Sequence, residues 1–216
     1  MKNSVGSKVS IIIPTRLGQR KVVTLNSLKG IDGIEIIVEH DQRGLDISKT
    51  RNNGARKAIG GKLVFMDDDI SFTKDFFDKF VDTIKPNTIV GLSLGSDKWV
   101  ASRAIGFMRD DFWKLGGFFE RFGYRAMDVE ISYRAQEFGM KIASFPINSI
   151  IHHTNPATRS TLKKMLLQDS HLIFVNLRYH DGPIGGWFKR KHLIRIALRF
   201  LFLIYWLIYI KIVRDR

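Results

Sequence analysis

Three short apolar runs, Val9–Ile13, Ile34–Glu39 and Leu63–Met66, are rich in Val, Ile or Leu, and segments of helical periodicity separate them. A chain that alternates in this way buries its strands on both faces when the intervening helices cross over the sheet. That arrangement makes the strands parallel and the crossovers right-handed. The punctuation agrees with it. Pro14 stops the first run, and Gln19 to Leu28 has helical spacing through Val22, Val23, Leu25 and Leu28. Ile47 to Ile59 reads as a second helix ended by Gly60, and Asp75 to Ile84 as a third closed by Pro86. At 216 residues and 44% hydrophobic, the chain can bury one sizeable core, so one α/β domain with an appendage is expected.

Beyond Ile89–Leu94 the pattern loosens. A strand at Ala104–Met108, a short helix around Asp110–Leu115, a Gly116-Gly117 turn and an aromatic stretch from Phe118 to Tyr124 follow. The spacing predicts a helix from Asp128 to Phe138 stopped by Gly139, with Ile131, Ala135 and Phe138 as its buried stripe. Glu130 and Arg134, four apart, are expected to pair on its surface. Ile142–Phe145 and Ile147–Ile151 read as strands, followed by His152-His153 and a long helix from Thr161 to about His180. Asp181-Gly182-Pro183 breaks that helix, and Gly185-Gly186 is a hinge.

Cysteine is absent, which excludes a disulfide framework, thiol catalysis and thiolate metal ligands. Met1 to Lys8 is short and polar, so a cleaved leader is not expected. Of the net charge of +14, half sits between Lys189 and Arg216, where eight Lys/Arg face one Asp among Leu, Ile, Phe, Tyr and Trp. A nucleic-acid binder spreads its basic residues over a folded face with interleaved polar groups, so nucleic acid is not the expected partner. An anionic membrane surface is, through residues 189–216. Phe200–Ile210 is eleven apolar residues, too few for a bilayer that needs about twenty. Extending it to Leu193–Val213 brings in Arg195, Arg199 and Lys211. A helix lying in the headgroup layer is expected, with a short snorkelling span or a dimerisation helix as alternatives. The protein is therefore expected at the cytoplasmic side of the cell membrane.

The chemistry points to Asp67, Asp68 and Asp69, directly after the Leu63–Met66 run. Three carboxylates in a row repel one another unless a cation or a metal–polyanion complex sits among them, and ligands bind at the C-terminal edge of open α/β sheets. Along an extended tip, Asp67 and Asp69 would face one way and Asp68 the other. That suits one divalent cation bridging a diphosphate, with oxygen ligands selecting Mn²⁺ or Mg²⁺. The competing reading is a solvated turn or helix cap. No G-x-G-x-x-G follows the first strand, and Gly54 through Lys62 has the wrong spacing and position for a P-loop.

Val9-Ser10-Ile11-Ile12-Ile13-Pro14-Thr15, Glu35-Ile36-Ile37-Val38 ending in Asp41, Arg51-Asn52-Asn53-Gly54 and Phe65-Met66-Asp67-Asp68-Asp69 form an ordered set. With Leu115-Gly116-Gly117-Phe118-Phe119-Glu120 and Asp128-Val129-Glu130-Ile131-Ser132-Tyr133-Arg134-Ala135, it resembles the successive blocks of the family 2 glycosyltransferases of GT-A fold, over about residues 8 to 160. The resemblance implies a Rossmann-like, mostly parallel sheet flanked by helices, a nucleoside diphosphate-sugar donor, a divalent metal, inversion at the anomeric carbon, and a glycan or lipid-linked acceptor. The expected organisation is a domain over residues 1–187, with a nucleotide-sugar half to about 95, an acceptor half over 96–160 and a helix and hinge over 161–187. A membrane-associating tail over 188–216 completes the chain.

Carried over residue by residue, Asp41 matches the acid that binds the nucleotide base, Thr15 and Arg16 line the same pocket, and Arg51 matches the basic residue near base and diphosphate. Asp67 faces the ribose or donor sugar beside Asp68, and Asp69 is on the metal. Asp128 matches the general base, although Met127 stands where that family has a Glu. His152 is implied as the histidine that completes the metal shell or touches the diphosphate, in preference to His153. Each has a plainer alternative: a turn cap for Asp41, a surface ion pair for Arg51, a helix N-terminal acid for Asp128, a packed or surface histidine for His152. Trp113 and the 118–124 aromatics are either an acceptor platform or core. A nucleotidyltransferase using the same acidic site, or a basic module that binds nucleotide or nucleic acid without turnover, are the rival functions.

Overall fold

Strand β1 (Val9–Arg16) is buried along every residue but the last, because it lies inside the sheet with helices over both faces. The coordinates are a computed structural model, and residues 8–16, 22–41, 46–93, 95, 97–120, 126–153, 201 and 204 are described. The chain divides into two units, Met1–Asn155 and Pro156–Arg216. In the second, Leu201 and Ile204 are helical and exposed. The expected 161–180 helix, the hinge, the 187/188 boundary and the rest of the tail lie outside the described residues. Among the described residues no helix is long and apolar enough to cross a membrane.

In the first unit the elements run β1, α1 (Thr24–Leu28), β2 (Ile34–Asp41), α2 (Ile47–Lys57), β3 (Lys62–Met66), β4 (Ile70–Ser71), α3 (Lys74–Thr83), β5 (Thr88–Ser93) and β6 (Ala101–Met108). There follow α4 (Arg109–Lys114), α5 (Met127–Glu137), β7 (Lys141–Pro146) and β8 (Ile151–His152). Six strands form one sheet in the order β2-β1-β3-β6-β5-β7. The parallel sheet expected from the alternating pattern holds for β2, β1 and β3 and for β5 with β7, but β6 is inserted antiparallel to both of its neighbours. No long helix precedes β6, so no crossover forces it parallel.

Alternation along the strands sorts the core into two layers. Ile11, Ile13, Val64 and Met66 pack with Leu28 of α1 and with Phe76, Phe77 and Phe80 of α3. Ile12, Leu63 and Phe65 pack on the other face with Ala55 of α2, Phe112 of α4 and Ile131 and Ala135 of α5. Helix α2 lies so close to β1 that a Cβ on Gly54 would fall 2.4 Å from Ile12 Cγ2, which places the residues of α2 tightly against the sheet.

Three local expectations are corrected. Ile147–Ile151 is not a strand: Ile147–Ser149 is a 3₁₀ turn, and the short β8 that follows pairs antiparallel with β4, Ile70 opposite His152. Phe138 is 47% exposed, because α5 ends at Glu137 and Gly139 turns the chain with φ of 73°. The Glu130–Arg134 pair forms at 2.6 Å, but both side chains are largely buried, since α5 packs under the 115–118 turn.

Candidate active site

The order β2-β1-β3 means that the chain leaves β1 toward one neighbour and later returns on its other side, and the C-terminal ends of β1 and β3 flank that crevice. The register sets Arg16 opposite Asp41 and Ile12 opposite Phe65, so the acids after β3 come level with the end of β1. Thr15 Oγ1 donates to Asp68 Oδ2 across the crevice at 2.7 Å.

Residues 68 and 69 turn instead of continuing extended, so the simple two-sided alternation of the three carboxylates does not hold. Each acid has its own partner. Asp67 Oδ1 accepts from Arg51 Nη2 at 2.6 Å, Asp68 from Thr15, and Asp69 Oδ1 lies 3.3 Å from His152 Nε2. Thr24 fastens the turn from beneath: its hydroxyl donates to the carbonyl of Asp67 at 2.6 Å and accepts the Ile70 N–H at 3.2 Å. The His153 N–H donates to the Asp69 carbonyl at 2.7 Å. The β4–β8 ladder therefore brings His152, 83 positions downstream, to Asp69.

Burial, reinforced by Asp69 and Asp68 and opposed by Arg51 and His152, pushes the Asp67 carboxyl up to about 6. Burial also raises Asp68, against the Thr15 hydrogen bond. Even with these partners the acidic tip is costly to ionise fully, as expected of a site that gains from a bound cation. Among the described residues, no three His, Asp or Glu side chains converge as a metal cage. The donor set that fits a divalent cation is the Asp69–His152 pair, whose 3.3 Å separation is close to the roughly 3.0 Å edge between adjacent ligands of an octahedral ion.

Arg51 is fully buried, which rules out the surface ion pair. Besides Asp67, its Nη2 donates to the Ser102 carbonyl at 2.9 Å, its Nη1 lies 3.6 Å from Met127 Sδ, and its guanidinium stands 5.5 Å from the centre of the Phe118 ring. Its Nε is buried without a partner among the described residues. Met127 Sδ also accepts the Ser48 hydroxyl at 3.2 Å.

Asp128 occupies the second position of α5, after Ala126 in the left-handed conformation with φ of 65°. Its Oδ2 accepts the Ser102 N–H at 3.1 Å and its Oδ1 the Val129 N–H at 3.0 Å. Ser102 therefore links the two halves of the site, its carbonyl on Arg51 and its N–H on Asp128. Asp41 is buried at the end of β2, and its Oδ2 accepts the Asp46 N–H at 3.1 Å, a contact that closes the turn into α2. Arg16 stands half-buried at the end of β1, opposite Asp41. Phe118 is core, as are Phe112 and Phe65 around it, while Phe119 is exposed. Residues 121–125 lie outside the described set.

Thr24 and Ser102 are not singled out by the sequence, and Asn52 appears only within the Arg51-Asn52-Asn53-Gly54 block. Asn52 grips the 115–118 turn through two bonds to the Phe118 backbone, at 2.8 and 2.9 Å. Each acts through the partner that folding brings to it, and no local pattern distinguishes it from other Ser, Thr or Asn residues.

No protein-family model and no curated protein sequence matches the chain. Solved structures do. The mannosyltransferase PcManGT from Pyrobaculum calidifontis, in complex with GDP-Man and Mn²⁺, aligns with a TM-score of 0.64 at 16% identity over 91% of this chain and 72% of that one. GalNAc-T7 with UDP, GalNAc and Mn²⁺ aligns at 0.59 and 12%, over 79% of this chain and 48% of that one. A Drosophila β-1,4-galactosyltransferase 7 mutant with manganese, UDP-Gal and xylobiose aligns at 0.57 and 12%, over 75% and 79%. The fold of this chain is thus GT-A-like, an α/β fold with a mostly parallel mixed sheet, shared with these glycosyltransferases.

Proposed function

We propose that this protein transfers a sugar from a nucleoside diphosphate-sugar to a hydroxyl of a glycan or lipid-linked acceptor, with inversion, as a family 2 glycosyltransferase. One observation carries the reading: at the switch point of a GT-A-like sheet, Asp67, Asp68 and Asp69 engage three separate partners, Arg51, Thr15 and His152. The similar structures that hold Mn²⁺ with a sugar nucleotide or with UDP and a sugar support the same reading.

Asp41, Thr15 and Arg16 would receive the nucleoside, at the paired ends of β1 and β2. Arg51 holds Asp67 against the donor side, and its buried charge favours the diphosphate. Asp69 and His152 would hold Mn²⁺ or Mg²⁺, which when bound supplies positive charge to the departing diphosphate. Asp128 removes the proton of the acceptor hydroxyl. As that oxygen bonds to the anomeric carbon, the bond from carbon to the diphosphate oxygen breaks and its electron pair leaves with the nucleoside diphosphate. The N–H groups of Ser102 and Val129, one on each oxygen, fix the plane of the carboxylate, and a carboxylate retains acceptor capacity for the incoming proton. Residues 189–216 would keep the enzyme on an anionic membrane surface at its cytoplasmic side.

The test is incubation with a panel of nucleotide sugars plus Mn²⁺, reading nucleoside diphosphate release and thermal shift. Asp69→Asn is expected to abolish metal-dependent donor binding, whereas Asp128→Asn keeps donor binding and stops transfer. Donor binding indifferent to Asp69, or release of pyrophosphate, overturns the reading.

A further inference from the structure

The hydroxyls packed around the acidic turn and Asp128 are nearly all spent on the protein. Thr15 Oγ1 donates to Asp68, Thr24 Oγ1 to the Asp67 carbonyl, Ser48 Oγ to Met127 and Ser132 Oγ to the Asp128 carbonyl. Ser102 differs. Its main chain is fully used, with the carbonyl on Arg51 and the N–H on Asp128, but its hydroxyl makes no hydrogen bond among the described residues. The residue is partly exposed.

Position gives this hydroxyl a purpose. The Ser102 carbonyl is 2.9 Å from the same Arg51 nitrogen that holds Asp67 at 2.6 Å, and its N–H is 3.1 Å from Asp128. Resting on the function proposed above, the base is bonded directly to this residue on one side, and the donor-facing acid is reached through Arg51 on the other. The group that must occupy the space between a diphosphate and an attacking acceptor is the donor's sugar ring. We infer that the Ser102 hydroxyl hydrogen-bonds a ring hydroxyl of the transferred sugar and so helps to set which sugar is accepted. A serine hydroxyl both donates and accepts; a sugar hydroxyl can use both capacities, whereas a phosphate oxygen uses only the first.

The same geometry makes the test clean, because Ser102→Ala leaves both main-chain bonds in place. In the full-length protein, Ser102→Ala is expected to lower kcat/KM for the preferred donor about tenfold, the value of one neutral hydrogen bond, while the thermal shift produced by the sugar-free nucleoside diphosphate with Mn²⁺ stays at the wild-type value. Ser102→Thr, which keeps a hydroxyl, is expected to recover most of the loss. Against a series of monodeoxy donors, wild type and Ser102→Ala should converge on the one that lacks the partner hydroxyl. Equal kcat/KM for wild type and Ser102→Ala overturns the inference while leaving the transferase reading intact. So does a loss that persists equally across every deoxy donor and extends to the sugar-free nucleotide, which marks a structural role. A wild-type protein inert with every donor overturns both.

Discussion

Arg51 Nη2 stands 2.6 Å from Asp67 Oδ1, with the arginine fully buried and the carboxylate about a quarter exposed (27%). A cation from the middle of α2 is thereby fixed at the end of β3, and the same nitrogen holds the Ser102 carbonyl of β6. Truncating it strands a carboxylate in a repulsive cluster and a carbonyl in the interior. Arg51→Ala is expected to cost about 3 kcal/mol, at the low end for a buried pair because Asp67 retains some solvent. Arg51→Lys should recover little of this, since an ammonium does not reproduce the planar fork. Urea unfolding measures both, and a loss below about 1 kcal/mol would refute the coupling.

The raised Asp67 carboxyl makes a prediction about pH. Between about 4 and 6 the folded protein keeps a proton there that the unfolded chain has already released, so this group's contribution to stability is largest below the unfolded value of 3.8 and falls as pH rises through about 6. The stability of wild type minus that of Asp67→Asn should therefore decline by about 1 to 3 kcal/mol across this window. Thermal or urea melts of the two proteins in metal-free buffers measure it, and a flat or rising difference contradicts the assignment.

Gly117 and Gly139 have nearly the same left-handed backbone, φ 74° and 73°, but a Cβ at Gly117 would lie 2.8 Å from Asn52 Oδ1 whereas one at Gly139 meets nothing within 4 Å. Gly139→Ala is expected to cost about 1 kcal/mol through the backbone alone. Gly117→Ala is expected to cost about 2 to 3 kcal/mol, because the Asn52 grip on Phe118 must also give. Equal losses in denaturant melts would show that the grip is unimportant.

Removing residues 189–216, with their eight Lys/Arg and one Asp, should abolish sedimentation with phosphatidylserine-containing vesicles. Binding of the full chain should weaken as salt rises, since each basic residue near an anionic surface contributes about 1 kcal/mol that ions screen. Undiminished vesicle binding after truncation would move the membrane contact elsewhere.

Much of this fold was legible because its signals are local. The runs Val9–Ile13 and Leu63–Met66 are mostly apolar since both faces of those strands are covered, and Gly60 and Pro86 mark the ends of α2 and α3 to within three residues, at Lys57 and Thr83. The three aspartates stand out in the sequence as a candidate site because their mutual repulsion needs no knowledge of the rest of the molecule. Glu130 and Arg134 were visible as a pair by spacing, but not as a buried one, because burial depends on the Leu115–Gly117 turn that Arg134 also holds. Met127 against Arg51, a soft sulfur beside a guanidinium, is a contact between residues 76 apart.

The amino-acid order alone determined the strands and helices of the first half, the parallel crossovers that join them, the acidic turn at the end of β3 and the acid near the start of α5, because hydrophobic period, Gly/Pro punctuation and charge repulsion act within a few residues. Folding alone decided that β6 enters antiparallel, that His152 reaches Asp69, that Arg51 is buried on Asp67 and that Ser102 joins it to Asp128. Each of these is a pairing between distant segments, and its free energy exists only once the sheet has closed and water has left the contact.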